Sequence, residues 1–344
     1  MAVILCGTVV VAVAAARSAP EKERSDVGEA RMLFPLPDGH HPEGVAIDRQ
    51  GTIYLGDRRP EGGLWVSEVL AIAPDGSAST LAALAEIETE DPGGTGVLGL
   101  ATDPQGNVYA ALVTHDPSTH GVWRIGRNGW DRARLPGSEQ IVFPNALTFD
   151  PRGNLYVTDS VGGAIWRFPA GGGQGELWAE HALLEPDPQD PFGFPLPGAN
   201  GIAFHPPDTL YVANTEKGLV ARVPIELDGR AGQSTLVASG PALLTIDGLA
   251  VDARGGIHAV IAGHAVLGTS PLVHVDPATG TTTSPLAAGQ DEDFDIPLSI
   301  AFGRGARDSQ TVYVTNSDLP GLPPEHHKPG VVEANVGVPG FPTP

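Results

Sequence analysis

The sequence predicts an all-β chain folded as a six-bladed β-propeller, with four-stranded antiparallel blades around a central channel. Three observations predict it. A phrase made of an apolar strand, an Asp/Gly turn and a second apolar strand occurs six times, from Glu43, Leu98, Asn145, Asn200, Asp247 and Leu298. All five tyrosines stand at one phase of that phrase. Tyr54, Tyr109, Tyr156 and Tyr211 lie eleven residues after the start of their copies, and Tyr313 does so after a four-residue insertion, while His258 fills the place in the fifth copy. The chain also carries 45 Gly and 33 Pro among 344 residues, beside 41% hydrophobic residues. That combination gives many turns and still enough apolar surface for a core.

The elements follow in order. Ala2 to Ala16 is an almost unbroken apolar run followed by Arg17. It is short for a membrane span, which needs about 20 residues, and it fits the apolar part of a secretory signal peptide. A signal peptide over residues 1–19 is therefore expected, then a polar linker over 20–29, then the propeller over 30–344 with a Pro-rich C-terminal tail. The mature chain is expected to have no membrane span and to be exported, periplasmic or extracellular. The alternatives are that the run is a membrane anchor, or that it reflects a mis-called start, in which case the protein would be cytoplasmic. The single cysteine, Cys6, lies inside that run, which excludes an intrachain disulfide framework and a cysteine-rich zinc module.

The stretch ARMLFPLP from Ala30 precedes the first full repeat and is expected to give a strand to the last blade, closing the ring. Within each copy apolar residues alternate with small or polar ones, as in strands with two different faces. Asp48, Asp103, Asp150 and Asp252 end the first strands, and Gly51, Gly106, Gly153 and Gly255 follow three residues later. Asp accepts backbone N–H groups in a turn and Gly permits a positive φ, so these are hairpin residues. Third strands begin at Gly121, Gly163, Gly218 and Ser270, and weaker apolar stretches supply the fourth. Trp123 and Trp166 lie in the third-strand phrases and are assigned to packing between blades.

The net charge of −21 excludes nucleic acid and anionic membrane surfaces as partners, since both need Lys/Arg patches. It is compatible with binding a cation. No phosphate-binding Gly loop, nucleophile elbow or dinucleotide motif is present.

In a propeller the first strand of each blade lines the channel, so equivalent residues converge on the axis. The six converging residues are Glu43, Leu98, Asn145, Asn200, Asp247 and Leu298. Two carboxylates and two carboxamides form an all-oxygen set that suits a hard cation. Ca²⁺ is the expected ion, with Mg²⁺, Mn²⁺ or Zn²⁺ as alternatives. The competing assignment is that these groups cap strand ends and bind channel water. A divalent ion held there would polarise a carbonyl or phosphoryl oxygen and acidify a water. Asp247 or Glu43 would then accept the proton. This predicts hydrolysis of a small ester, lactone or phosphoester.

With those residues in view, the sequence resembles the senescence marker protein / gluconolactonase / luciferin-regenerating-enzyme family. It also resembles the wider superfamily of six-bladed calcium-dependent phosphotriesterases. The resemblance covers about residues 38–320 and rests on HPEGVAID, FPNALTFD, GANGIAFH and TIDGLAVD. It implies that Glu43, Asn145, Asn200 and Asp247 hold a catalytic metal, and that Asp247 is also the general base. The Arg-x-Asn-Asp-Gly segment of gluconolactonases is absent between the second and third blades. Leu98 stands where paraoxonases place a channel histidine. Neither sugar-lactonase nor paraoxonase specificity is implied, and strictosidine-synthase-like propellers, which share the fold without this metal set, fit less well.

Polar residues on loops over the channel are candidates for binding a small-molecule substrate: His40, His41, Arg58, Arg59, His115, His120, Asp159, Asn214 and His264. Asp159 and Asn214 are preferred, because each ends the strand after a metal-bearing strand. Asn316 shares their phase, and His326 and His327 form a pair in the tail. Two other functions remain open. YVTD at Tyr156 and YVTN at Tyr313 echo YVTN and NHL-type propellers that serve as protein-binding scaffolds. Alternatively, the ion ties the blades together and does no chemistry.

Overall fold

The computed structural model describes residues 25–88, 96–187, 197–318 and 328–341. The expected signal peptide, residues 20–24 of the linker, and His326 and His327 lie outside the described residues. Six four-stranded antiparallel sheets follow one another along the chain. The innermost strands are Val45–Ile47, Gly96–Thr102, Pro144–Phe149, Ala199–His205, Ile246–Val251 and Pro297–Phe302. Each pairs with the strand that carries the tyrosine-phase residue, which pairs in turn with a third and an outer strand. Consecutive innermost strands contact one another around the ring, and Val45–Ile47 meets Pro297–Phe302 to complete it. No helix among the described residues is long and apolar enough to cross a membrane.

The ring closes by exchange between the two chain ends. Ala30–Pro35 pairs with Gly330–Asn335 and becomes the outermost strand of the sixth blade. The sequence expectation for Ala30 is met. The third strand of that blade, Gly330–Asn335, falls in the segment read from sequence as a Pro-rich tail. Its neighbouring prolines obscured a run, GVVEAN, that is buried throughout.

Packing follows the ring. Six apolar clusters each join two adjacent blades. Val260 and Leu272 of the fifth blade meet Val312, Val314 and Val332 of the sixth, and Val45 and Leu55 of the first meet Val331 across the closure. β-Branched and leucine side chains on both faces of each sheet are buried by its neighbours. Small side chains such as Ala and Gly on the alternate positions let the neighbouring sheets approach both faces. Trp123 and Trp166 pack against two such clusters, as expected.

The hairpin aspartates do what their spacing predicts. Asp48 Oδ1 accepts N–H groups from Gln50 and Thr52, both at 2.9 Å, and Asp150 does the same with Arg152 and Asn154. The marker tyrosines are their partners. Tyr54, Tyr109, Tyr156 and Tyr313 donate their hydroxyls to Asp48, Asp103, Asp150 and Asp308 at 3.0–3.4 Å. Burial raises each of these phenols first, and the facing carboxylate raises it further. In four of the six blades a tyrosine therefore locks the turn at the end of the innermost strand.

Candidate metal centre in the channel

Neighbouring innermost strands touch backbone to backbone near the axis. A Cβ on Gly44 would stand 2.1 Å from the Leu98 carbonyl oxygen, and one on Gly201 2.2 Å from that of Asp247. Only glycine fits such an approach. Hydroxyls bridge the blades at the same level. Thr158 donates to the Asn200 carbonyl at 2.8 Å, Thr215 to Ile246 at 2.7 Å, and Thr315 of the last blade to Glu43 of the first.

Five of the six ring residues sit in irregularities of strand pairing. The register shifts between Val97 and Leu100, Pro144 and Leu147, Ala199 and Ile202, Ile246 and Leu249, and Pro297 and Ser299. Leu98, Asn145, Asn200, Asp247 and Leu298 lie within these shifts. A bulge releases a residue from the ladder and re-aims its side chain. Thr245, two residues before Asp247, adds local strain. It is a β-branched residue at φ 60°, held by the Gly263 N–H on its Oγ1 at 2.9 Å.

The two carboxyls face each other electrostatically. Glu43 is raised well above the ordinary carboxyl range, first by burial and then by the charge of Asp247. Burial pushes Asp247 up to about 8, against a side-chain hydrogen bond from Asn200 that pulls it down. Glu43, Asn200 and Asp247 therefore meet in space, as the repeat predicts. Two like charges in one enclosed site cannot both ionise cheaply without a counter-charge. A divalent cation is such a counter-charge.

Asn145 and Asn200 are buried and their amides are oriented. Asn145 Nδ2 donates to Ser160 Oγ at 3.1 Å, and Asn200 Nδ2 donates to Thr215 Oγ1 at 2.9 Å. Those hydroxyls have already spent their protons, Ser160 on the Ala199 carbonyl and Thr215 on that of Ile246, both at 2.7 Å. Each can only accept from its asparagine, so the amide nitrogen points to the hydroxyl and the oxygen points away. Asn200 Oδ1 is left buried without a hydrogen-bond partner. An orphaned acceptor beside two destabilised carboxyls fits a hard cation held by oxygens. Leu98 and Leu298 supply no oxygen, so a sphere completed by the four polar ring residues leaves positions for water or substrate.

Ser160 and Thr215 escaped the sequence reading. Their signal was present, since both follow the strand-end residues Asp159 and Asn214 directly. Asp159 and Asn214, expected to bind substrate, are themselves fully enclosed. Asp159 accepts N–H groups from Val142, Phe143 and Gly162 at 2.8–3.0 Å. Asn214 donates to the carbonyls of Leu183 and Glu185 and accepts from Lys217 N–H. Both fasten the loops that lead into the strands bearing Asn145 and Asn200. Asn316 binds the Asp293 carbonyl at 2.7 Å in the same way.

The remaining candidates divide. His120 and His264 hold the carbonyls of Ile141 and Asp295, both at 2.8 Å. Arg59 pairs with Glu68 and Glu61, and His115 is exposed. Around Glu43, His40 Nδ1 meets Asp57 at 2.7 Å, and the Arg58 guanidinium stands 5.0 Å over Trp65. His41 packs 4.9 Å from the same indole. Burial, then the charge of Arg58, lowers His41 to about 4, so this imidazole is neutral at physiological pH.

With this geometry, the comparisons with known proteins can be stated. A gluconolactonase from Xanthomonas campestris superposes with a TM-score of 0.60 at 17% identity, covering 95% of this chain and 99% of that one. Regucalcin from Agrobacterium tumefaciens, a calcium-binding protein, gives 0.61 at 15%, covering 92% and 97%. A luciferin-regenerating enzyme gives 0.62 at 13%, covering 91% and 97%. The chain shares their fold. A family profile described as strictosidine synthase-like, N-terminal, matches residues 31–59, the closing strand and the start of the first blade. No curated protein matches the chain in sequence.

Proposed function

We propose that this chain is a metal-dependent hydrolase of a small lactone, ester or related substrate, acting after export. The carrying observation is the ring itself: two mutually destabilised carboxyls beside two asparagines whose amide oxygens are turned away from their anchoring hydroxyls. The shared fold with a gluconolactonase and with calcium-binding regucalcin supports the reading. Ca²⁺ is the ion that best suits four uncrowded oxygens, ahead of Mg²⁺, Mn²⁺ and Zn²⁺.

Glu43 and Asp247 supply two negative charges, and Asn145 and Asn200 supply oxygens without charge. A bound divalent ion would polarise a substrate carbonyl and make nearby water more acidic. Its positive charge would offset the penalty on both carboxyls, so Asp247 would be an anion in a loaded site. Asp247 would then be the group to accept a proton from an attacking water. The bulge and the strained turn at Thr245 hold it in place, and neutral His41 with Arg58 and Trp65 offers a binding rim beside Glu43.

The test is direct. The mature chain is stripped with chelator and offered a panel of lactones and aryl esters, with and without Ca²⁺, Mn²⁺ or Zn²⁺. Hydrolysis is expected only with metal, and Asp247→Asn is expected to lose it while folding normally. Absence of hydrolysis with every ion would overturn the enzymatic reading.

A further inference from the structure

The fifth blade breaks the repeat at three positions, and all three breaks meet at one oxygen. Elsewhere the hairpin aspartate is served by a tyrosine hydroxyl. In the second and third blades an asparagine four residues on, Asn107 or Asn154, also donates to its Oδ2 at 2.7 Å. In the fifth blade the tyrosine is replaced by His258 and the asparagine by Gly256. The residue paired across from the tyrosine is Arg124, Arg167 or Arg222 in blades two to four, but His274 here. In the fourth blade the aspartate itself becomes His205.

These changes are coordinated. A Cβ on Gly256 would lie 2.2 Å from His274 Nε2 and 2.6 Å from Asp252 Oδ2, so the missing side chain makes room for the second imidazole. No positive φ at this residue explains the glycine. His258 Nε2 stands 3.1 Å from Asp252 Oδ2 and His274 Nε2 3.7 Å from it. The three ligand atoms lie within 4.8 Å of one another. Zn²⁺ bonds of about 2.0–2.1 Å set tetrahedral ligand edges of about 3.3 Å, and the two distances to Oδ2 bracket that edge. In the second and third blades the two groups on Oδ2 are donors, a phenol and an amide N–H; here both are imidazole nitrogens, which can also ligate a metal.

The group opens on a pocket of about 530 Å³ lined also by His205, Asp276 and the returning chain end at Val336 and Val338. Asp252 and His258 are buried, and His274 is partly exposed to the pocket. Asp252 ends the strand near whose start Asp247 stands. Five residues of strand separate them by about 16 Å, so this is not the channel site.

We propose that Asp252, His258 and His274 form a second metal site, for a borderline transition ion of the Zn²⁺ class, with its fourth position open to the pocket. One carboxylate and two imidazoles are a nitrogen-rich set that discriminates against Ca²⁺, whereas the all-oxygen channel favours it. The two sites are thereby loaded by different ions. This inference stands on the fifth blade alone and does not depend on the proposed hydrolase activity.

The experiment titrates Zn²⁺ calorimetrically into chelator-stripped full chain held in millimolar Ca²⁺. One zinc per chain is expected in the wild type. His258→Tyr and His274→Arg, which restore the residues of the other blades, are expected to weaken zinc more than about 100-fold, beyond the cost of losing an outer partner. His274→Ala, at a partly exposed ring, serves as a second variant should either restoration fail to fold. Glu43→Gln should leave zinc binding unchanged. Co²⁺ substitution should give a tetrahedral visible spectrum in the wild type that the His258 and His274 variants lose. No zinc uptake by the wild type, or uptake undiminished in the folded variants, would overturn the proposal.

Discussion

Asp247→Asn separates stability from function in a way that few substitutions can. Burial lifts this carboxyl from its ordinary 3.8 to about 8 in the metal-free chain. The unfolded chain gives up the proton near 3.8, and the folded chain holds it until about 8. Between those values the folded state binds more protons, so metal-free stability falls as pH rises. At about 1.4 kcal/mol per pH unit, the loss has a ceiling of about 6 kcal/mol. Solvent screening reduces it, since Asp247 is only partly buried. Asparagine keeps the shape and removes the charge. In chelator, denaturant unfolding should show the wild type losing stability from pH 5 to pH 8 and the variant losing much less. At pH 8 the variant should be the more stable protein. Saturating Ca²⁺ should reverse the order, because only the wild type gains a strongly bound ion. A wild type whose metal-free stability is flat from pH 5 to 8, with a variant weaker at both ends, would refute the reasoning.

Three further outcomes follow from the same geometry. Thr215→Val removes the hydroxyl that turns the Asn200 amide, so its Ca²⁺ affinity should drop about 10–100-fold in calorimetry, and the lost bridge to the Ile246 carbonyl should cost about 1–3 kcal/mol in unfolding. Gly201→Ala forces a Cβ against the Asp247 carbonyl; it should cost about 1–3 kcal/mol in chemical unfolding and weaken Ca²⁺ by displacing Asp247. Tyr156→Phe removes one turn lock in the third blade and should cost about 1 kcal/mol without altering metal binding.

The fold was legible because a propeller repeats itself. Four of the five tyrosines reach the turn aspartate of their own blade, so their phase is fixed, and the phase in turn locates the ring. Glu43, Asn200 and Asp247 could be assigned to one site on that basis. What the sequence could not display were contacts made across blades. Ser160 and Thr215 orient the asparagines only because their own protons are spent on the next blade, at Ala199 and Ile246. Asp159 and Asn214 looked like open polar groups at strand ends, yet the loops they hold cover them. Gly330–Asn335 was hidden because its partner, Ala30–Pro35, comes from the other end of the chain. His258 was visible as an exception in the tyrosine column, but Gly256 and His274 gained meaning only when the three were seen together.

The most direct measurement is a crystal structure of the chain grown in Ca²⁺. The account predicts a single strong peak on the propeller axis, with side-chain oxygens of Glu43, Asn145, Asn200 and Asp247 at about 2.3–2.6 Å. A channel without a cation at these four residues, in crystals that hold calcium elsewhere, would contradict it.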